Sequence, residues 1–192
     1  MTQYILVVLL FCSQMVNAAE YGIFLVVKGK VSIQGASGAV TEAKLNSTIQ
    51  VGETVITGAD SRAKIVMSDQ RNIINVAPST KLKFEKYSNT KDDKNVKLKL
   101  IEGKVRSKVG EKYDNRSSKF EIRTATAVAG VRGTDFITSY DPETKTTEVI
   151  TFRGEVTFTS LAAGDSDVAT GETVVVTKGE KSQAKEIGRA HV

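Results

Sequence analysis

The chain has 192 residues, a formal net charge of +5 and 40% hydrophobic residues, enough for one domain with a proper core. A single cysteine, a single histidine and no tryptophan argue against disulfides, the usual histidine base and a base-stacking platform. The basic excess is modest and spread along the chain, and no nucleic-acid partner is expected.

Ile5 to Phe11 form a continuous apolar run. It is short for a membrane span, which takes roughly 20 residues. Val16 and Ala18 stand where signal peptidase accepts small residues, so residues 1–18 read as a helical signal peptide cut after Ala18, with Ala19 as the second choice. The segment before the run has no Lys or Arg, which leaves an uncleaved anchor or a buried strand as alternatives. Leu9-Leu10-Phe11-Cys12 has the outline of a lipidation site, with bulky Phe11 where a small residue is normal. Cleavage removes Cys12, and with it the only thiol.

From Val27 onward the apolar period is two. Val27, Val31 and Ile33 share one parity, and Val96, Leu98 and Leu100 alternate with Lys97 and Lys99. Phe120 and Ile122 alternate with Glu121 and Arg123, and Ile150, Phe152, Val156 and Phe158 continue the pattern. Alternation of this kind places one set inward and one in water, which predicts strands. A short helical turn is expected only at Thr41–Leu45. Lys86–Asn95 and Glu111–Lys119, polar and charged, read as loops. Glycines at short intervals predict turns. Three tetrads echo one another: Lys28-Gly29-Lys30-Val31, Glu102-Gly103-Lys104-Val105 and Arg153-Gly154-Glu155-Val156. Their spacing is irregular, which suits either a rolled sandwich or a solenoid-like stack.

Lys94, Lys97, Lys99, Lys104, Arg106 and Lys108 make the densest basic stretch. It reads as a solvated strand face; the sharper alternative is a stripe against anionic lipid, glycan or cell-wall polymer. Asp60, Asp69, Glu102, Asp135 and Asp141 lie near turns and read as solvated turn acids, although a carboxylate pair is the minimum for glycoside cleavage. No nucleophile–base motif and no metal-ligand spacing occurs. The reading is therefore of no catalytic, cofactor or metal residue.

The most specific stretch is Thr124–Phe136, which joins two alternating runs and ends in Arg132-Gly133-Thr134-Asp135-Phe136. Gly130 and Gly133 are expected to permit a tight corner. Arg132 offers five donors for loop carbonyls or a carboxylate, Thr134 a hydroxyl for the corner backbone, and Phe136 an anchor in the core. The alternative is a ligand-gripping loop, with Arg132 and backbone N–H groups around an anion.

This stretch resembles the central motif of the FecR-type periplasmic domain. The resemblance extends from about Val27 to Thr159. Val51-Gly52-Glu53-Thr54-Val55-Ile56-Thr57-Gly58 is similar to the family's early turn, Ala77-Pro78-Ser79-Thr80 to its proline step, Leu98–Val105 to its "L-x-x-G-x-V", and Glu148–Phe158 to its closing strands. It implies an all-β fold: a single elongated domain over residues 19–185, β-solenoid-like or a rolled β-sandwich of short strands, after the signal helix. Residues 186–192, ending Ile187-Gly188-Arg189-Ala190-His191-Val192, resemble a translated sequencing adapter, which would take the lone histidine out of any mechanism. Family regulators join this domain through a membrane helix to a sigma-factor-binding segment. Only the signal-like segment is expected before the domain here, so that role is not carried over. What the resemblance implies is a non-catalytic binding, sensing or signal-transducing module in the periplasm or envelope. Its partner would be an envelope protein or a cell-wall or glycan polymer. A structural unit of the envelope, and more remotely a carbohydrate-active enzyme, are the alternatives.

Overall fold

The computed structural model describes residues 20–90, 93–110, 119–131, 133–161, 164–168, 171–177, 180–181 and 185–186. The predicted signal helix, most of the Glu111–Lys119 loop, Arg132 and the 187–192 tail lie outside the described residues. The strands run β1 (Glu20–Lys28), β2 (Val31–Gln34), β3 (Val40–Glu42), β4 (Thr48–Gln50), β5 (Thr54–Thr57) and β6 (Arg62–Met67). They continue with β7 (Asn72–Val76), β8 (Thr80–Asn89), β9 (Lys94–Val109), β10 (Lys119–Arg123), β11 (Ala127–Val131) and β12 (Asp135–Asp141). The last are β13 (Thr146–Arg153), β14 (Val156–Ser160), β15 (Gly164–Val168), β16 (Glu172–Thr177), β17 (Glu180–Lys181) and β18 (Lys185–Glu186). No helix occurs among the described residues.

Two sheets share this chain. The front sheet has the order β4-β1-β6-β7-β9-β12-β13-β16, with β17 and β18 paired to β16. The back sheet has the order β3-β2-β5-β8-β9-β10-β11-β14-β15. All pairs are antiparallel except β9 with β10. In each sheet the strands follow nearly in sequence order, because the chain steps back and forth between the layers as it advances. Both readings of the pattern thus describe one object: a sandwich in cross-section that grows along its length as a solenoid does.

Strand β9 shows how a step is made. Its 16 residues serve the back sheet first and the front sheet after. Val96, Leu98 and Leu100 face inward in the first half, and Val105, Ser107 and Val109 in the second. The parity changes at Ile101-Glu102-Gly103, where Gly103 has φ +93°. Inward side chains from both layers then form one core. Tyr21 of the front sheet meets Phe84 of the back sheet edge-on at 4.6 Å between ring centres, and Phe136 meets Phe120 at 6.5 Å and 86°. Such contacts add to the burial of the rings themselves.

Two local expectations are corrected. Thr41–Leu45 holds no helical turn: β3 pairs with β2 through Glu42, and Ser47 closes a tight turn on Lys44 with N···O 3.0 Å. A bonded strand partner outweighs a weak local helical preference. Lys86–Asn95 is not a long loop either. It is the end of a hairpin in which Ser88 faces Asn95 and Asn89 faces Lys94. Thr90 and Asp93 close it with reciprocal bonds of 3.0 Å, and Tyr87 reaches inward to Tyr21, 5.1 Å between ring centres.

The second half of the core carries hydroxyls as well as aliphatics. Thr124 and Thr126 both bond Thr147, at 2.6 and 2.7 Å. Ser107, Thr138 and Thr151 are fully buried, and their hydroxyls have no partner. A buried hydroxyl without a partner costs roughly 1–3 kcal/mol, and an apolar group of the same shape removes that cost. Thr138→Val is therefore expected to raise the urea midpoint at unchanged slope, by about 1 kcal/mol in stability; a lower midpoint would show that the hydroxyl is bonded in solution.

Candidate binding face

The three echoing tetrads occupy equivalent places. Gly29 joins β1 to β2, Gly103 joins the halves of β9, and Gly154 joins β13 to β14; their φ values are +74°, +93° and +82°. Each marks a crossing between the sheets, and the valine that follows, Val31, Val105 or Val156, enters the core. Each corner also has a hydroxyl partner. Ser61 Oγ accepts from Lys30 N at 2.8 Å, Thr80 Oγ1 accepts from Lys104 N at 3.0 Å, and Thr134 Oγ1 donates to Glu155 O at 2.9 Å. All three hydroxyl residues are buried and stand at or just before the start of a strand. The sequence shows the glycines of this device. Its hydroxyl partners lie 31, 24 and 21 positions from the backbone groups they bond, with no common spacing, so the pairing is invisible until the chain is folded.

The Thr124–Phe136 stretch supplies the third clasp. Gly130 lies in β11, between Glu121 of β10 and Thr157 of β14. A Cβ there would sit 3.7 Å from Thr157 O, an ordinary contact, so the corner itself belongs to Gly133, whose φ is +77°. Thr134 is buried, and its carbonyl also accepts from Val109 N at 2.8 Å. Phe136 is fully buried between Ser107 and Thr151 of the neighbouring strands. Thr134 and Phe136 are thus tied into the frame of the fold; Arg132 lies outside the described residues.

Asp135, between Thr134 and Phe136, faces the other way. The sequence reads it as a solvated turn acid, and its contacts correct this. Arg106 grips its carboxylate with two bonds, Nε–Oδ1 at 2.8 Å and Nη2–Oδ2 at 2.9 Å, and Lys108 Nζ stands 3.8 Å away. The Arg106 hydrogen bonds hold the Asp135 carboxyl below its ordinary range, against a smaller opposing effect of burial. Arg106 also lies over the Phe152 ring at 4.6 Å, a cation–π contact. A depressed carboxyl contributes stability above the ordinary aspartate range and loses it as pH falls through the folded-state value. Asp135→Asn should therefore cost about 1–2 kcal/mol at neutral pH, discounted because Arg106 keeps a solvated side. The difference from the parent protein should shrink below about pH 4. A pH-independent difference in urea midpoints would contradict the pairing.

The basic stretch divides at Gly103. Lys97 and Lys99 point out of the back sheet, where Lys83, Lys99 and Arg123 stand on adjacent strands. Lys104, Arg106 and Lys108 point out of the front sheet, on the opposite side of the sandwich. There Val26, Lys64, Asn75, Arg106 and Ile137 form one row across β1, β6, β7, β9 and β12. A depression of about 390 Å³ follows this row. Its apolar part includes Val26, Pro78 and Ile137; its cations are Arg62, Lys64, Lys104 and Arg106. Arg62, Lys64 and Lys104 have no ion-pair partner among the described residues. A second hollow of about 570 Å³ adjoins it at Pro78 and Lys104 and is bordered by Asp141 and Glu148. Sequence reading missed this face because its residues come from five strands and the parity change separates neighbours in sequence. No cluster of three or more metal-ligating side chains occurs among the described residues.

The fold and this surface define an all-β, two-layered domain with one outer face built of cations around an apolar hollow. The sequence profile of the family described as "FecR protein" matches residues 53–157, more than half of the chain. The chain belongs to the FecR family. Two solved structures of a putative anti-sigma factor from Parabacteroides distasonis, at 1.65 and 2.50 Å resolution, share the fold. Their TM-scores are 0.56 and 0.57 at 18% and 17% identity, over 69% of this chain. The match takes in 59% of the length of those solved chains. No curated protein matches the sequence.

Proposed function

We propose that this protein is an exported, non-catalytic FecR-type module that binds an envelope component and passes on its presence as a signal. The observation that carries the reading is the front outer face, where three cations with no ion-pair partner among the described residues surround an apolar hollow. Surface charges that serve only solubility gain nothing by converging on apolar side chains, whereas a ligand site requires that combination. The family and the fold shared with putative anti-sigma factors support a place in signal transduction. Export is supported by the signal-like segment at residues 1–18. A non-catalytic role is supported by Asp135, the most strongly held carboxylate of the face, which Arg106 keeps ionised and engaged. Gly130, Arg132, Gly133, Thr134 and Phe136 are read as fold-motif residues, with Phe136 as the core anchor and Thr134 as the clasp.

The test is saturable binding to a washed envelope fraction from the source cells, with the full chain expressed there. Recovery outside the cytoplasm and a single saturable binding class support the reading. Retention in the cytoplasm contradicts export. Self-assembly without any envelope partner favours the structural-unit alternative.

A further inference from the structure

The chemistry of the front hollow narrows its ligand, on the reading that this face is the binding face. The hollow crosses four strand intervals from β1 to β12, roughly 19 Å at about 4.8 Å per interval. An extended peptide of about six residues covers that distance at ~3.3 Å per residue. Its floor offers aliphatic Val26, Pro78 and Ile137, so an apolar side chain can be buried there. Its rim offers Arg62, Lys64 and Lys104, which have no carboxylate partner among the described residues. Arg106 is turned toward Asp135 and contributes field more than contact.

We propose that this hollow docks a short extended segment of a partner protein whose every second residue, the set turned toward the sheet, includes both acidic and apolar side chains. The carboxylates meet Arg62, Lys64 and Lys104, and the apolar side chains lie on Val26, Pro78 and Ile137. An anionic membrane surface fits less well. The adjoining hollow presents Asp141 and Glu148 on the same face, and a flat anionic surface covering both would press like charges together. A linear segment occupies the cationic hollow alone.

The probe is a fluorescent hexapeptide, Glu-Ser-Leu-Ser-Asp-Ser, which when extended presents Glu, Leu and Asp on one face, compared with Gln-Ser-Leu-Ser-Asn-Ser and with phosphatidylglycerol vesicles. The acidic peptide is expected to bind at least tenfold more tightly than its amide counterpart, and progressively less tightly as salt is raised. The double variant Arg62→Glu/Lys64→Glu should lose at least tenfold, and Val26→Asp should also weaken binding. Lys83→Glu/Lys99→Glu, on the back sheet, should stay within twofold. Thermal melts of each variant separate lost binding from lost folding. No measurable peptide binding, equal loss from front and back variants, or binding to vesicles alone overturns the peptide site. Envelope binding that still depends on Arg62 and Lys64 in that event leaves the functional reading standing with a different ligand.

Discussion

Phe136→Ala is expected to lower stability by roughly 3–5 kcal/mol, the usual cost of emptying a buried aromatic site. The ring is fully buried, and its contact with Phe120 spans the two layers. Its strand neighbours, Ser107 and Thr151, cannot fill the space without moving unpaired hydroxyls into it. Phe152 is the internal comparison, and it corrects the expected parity of β13, in which Thr147, Val149 and Thr151 face inward and Ile150 and Phe152 outward. It is 43% exposed on the front outer face beneath Arg106, so Phe152→Ala should cost under about 1 kcal/mol, mainly the cation–π contact. Urea unfolding of both variants checks the pair. Equal losses would mean that Phe136 is not the anchor of the second half of the core.

Gly103→Ala is expected to be nearly as severe, at roughly 2–5 kcal/mol, by adding left-handed strain to overpacking. A Cβ at this position would sit 2.5 Å from Ser79 O and 2.7 Å from Thr80 Cα. Both are backbone atoms, so no side-chain rotation relieves the clash. The same clasp holds Lys104 N to Thr80 Oγ1, and β9 changes sheets at this point. Gly38 separates the two causes. Its φ is +87°, but a Cβ there meets nothing within 4 Å. Gly38→Ala should therefore show only the conformational cost, about 1–2 kcal/mol. If the two alanine variants melt alike, the Gly103 corner is not packed as described.

Much of the fold was legible because it depends on period two. The alternation of Val96, Leu98 and Leu100 with lysines gave the strand and its inward face, and the x-Gly-charged-Val tetrads gave the corners. What could not be read was pairing across long separations. Ser61 and Thr80 clasp corners formed elsewhere in the chain, and a hydroxyl in a polar loop has no sequence mark of that task; Thr134 reads as a hydroxyl for its own corner and instead bonds the one at Gly154. The charged hairpin tip at Lys86–Asn95 looked like a loop because strand β8 runs past its last inward residue, Tyr87, while still bonded to β9. The binding face was hidden for another reason. One run of lysines seemed to form one stripe, but the change of parity at Gly103 sends half of it to each side of the sandwich. Asp135 reads as a turn acid from its place just after the Gly133 corner, since its partner Arg106 is 29 residues away.

The central claim is that the front outer face, and not the equally basic back face, meets the envelope partner. The most direct measurement compares binding isotherms to the washed envelope fraction for Arg62→Glu/Lys64→Glu and Lys83→Glu/Lys99→Glu, both verified as folded. The front variant should lose at least tenfold in affinity while the back variant remains within twofold of the parent. Equal affinities for the two, or a loss confined to the back variant, would contradict the assignment.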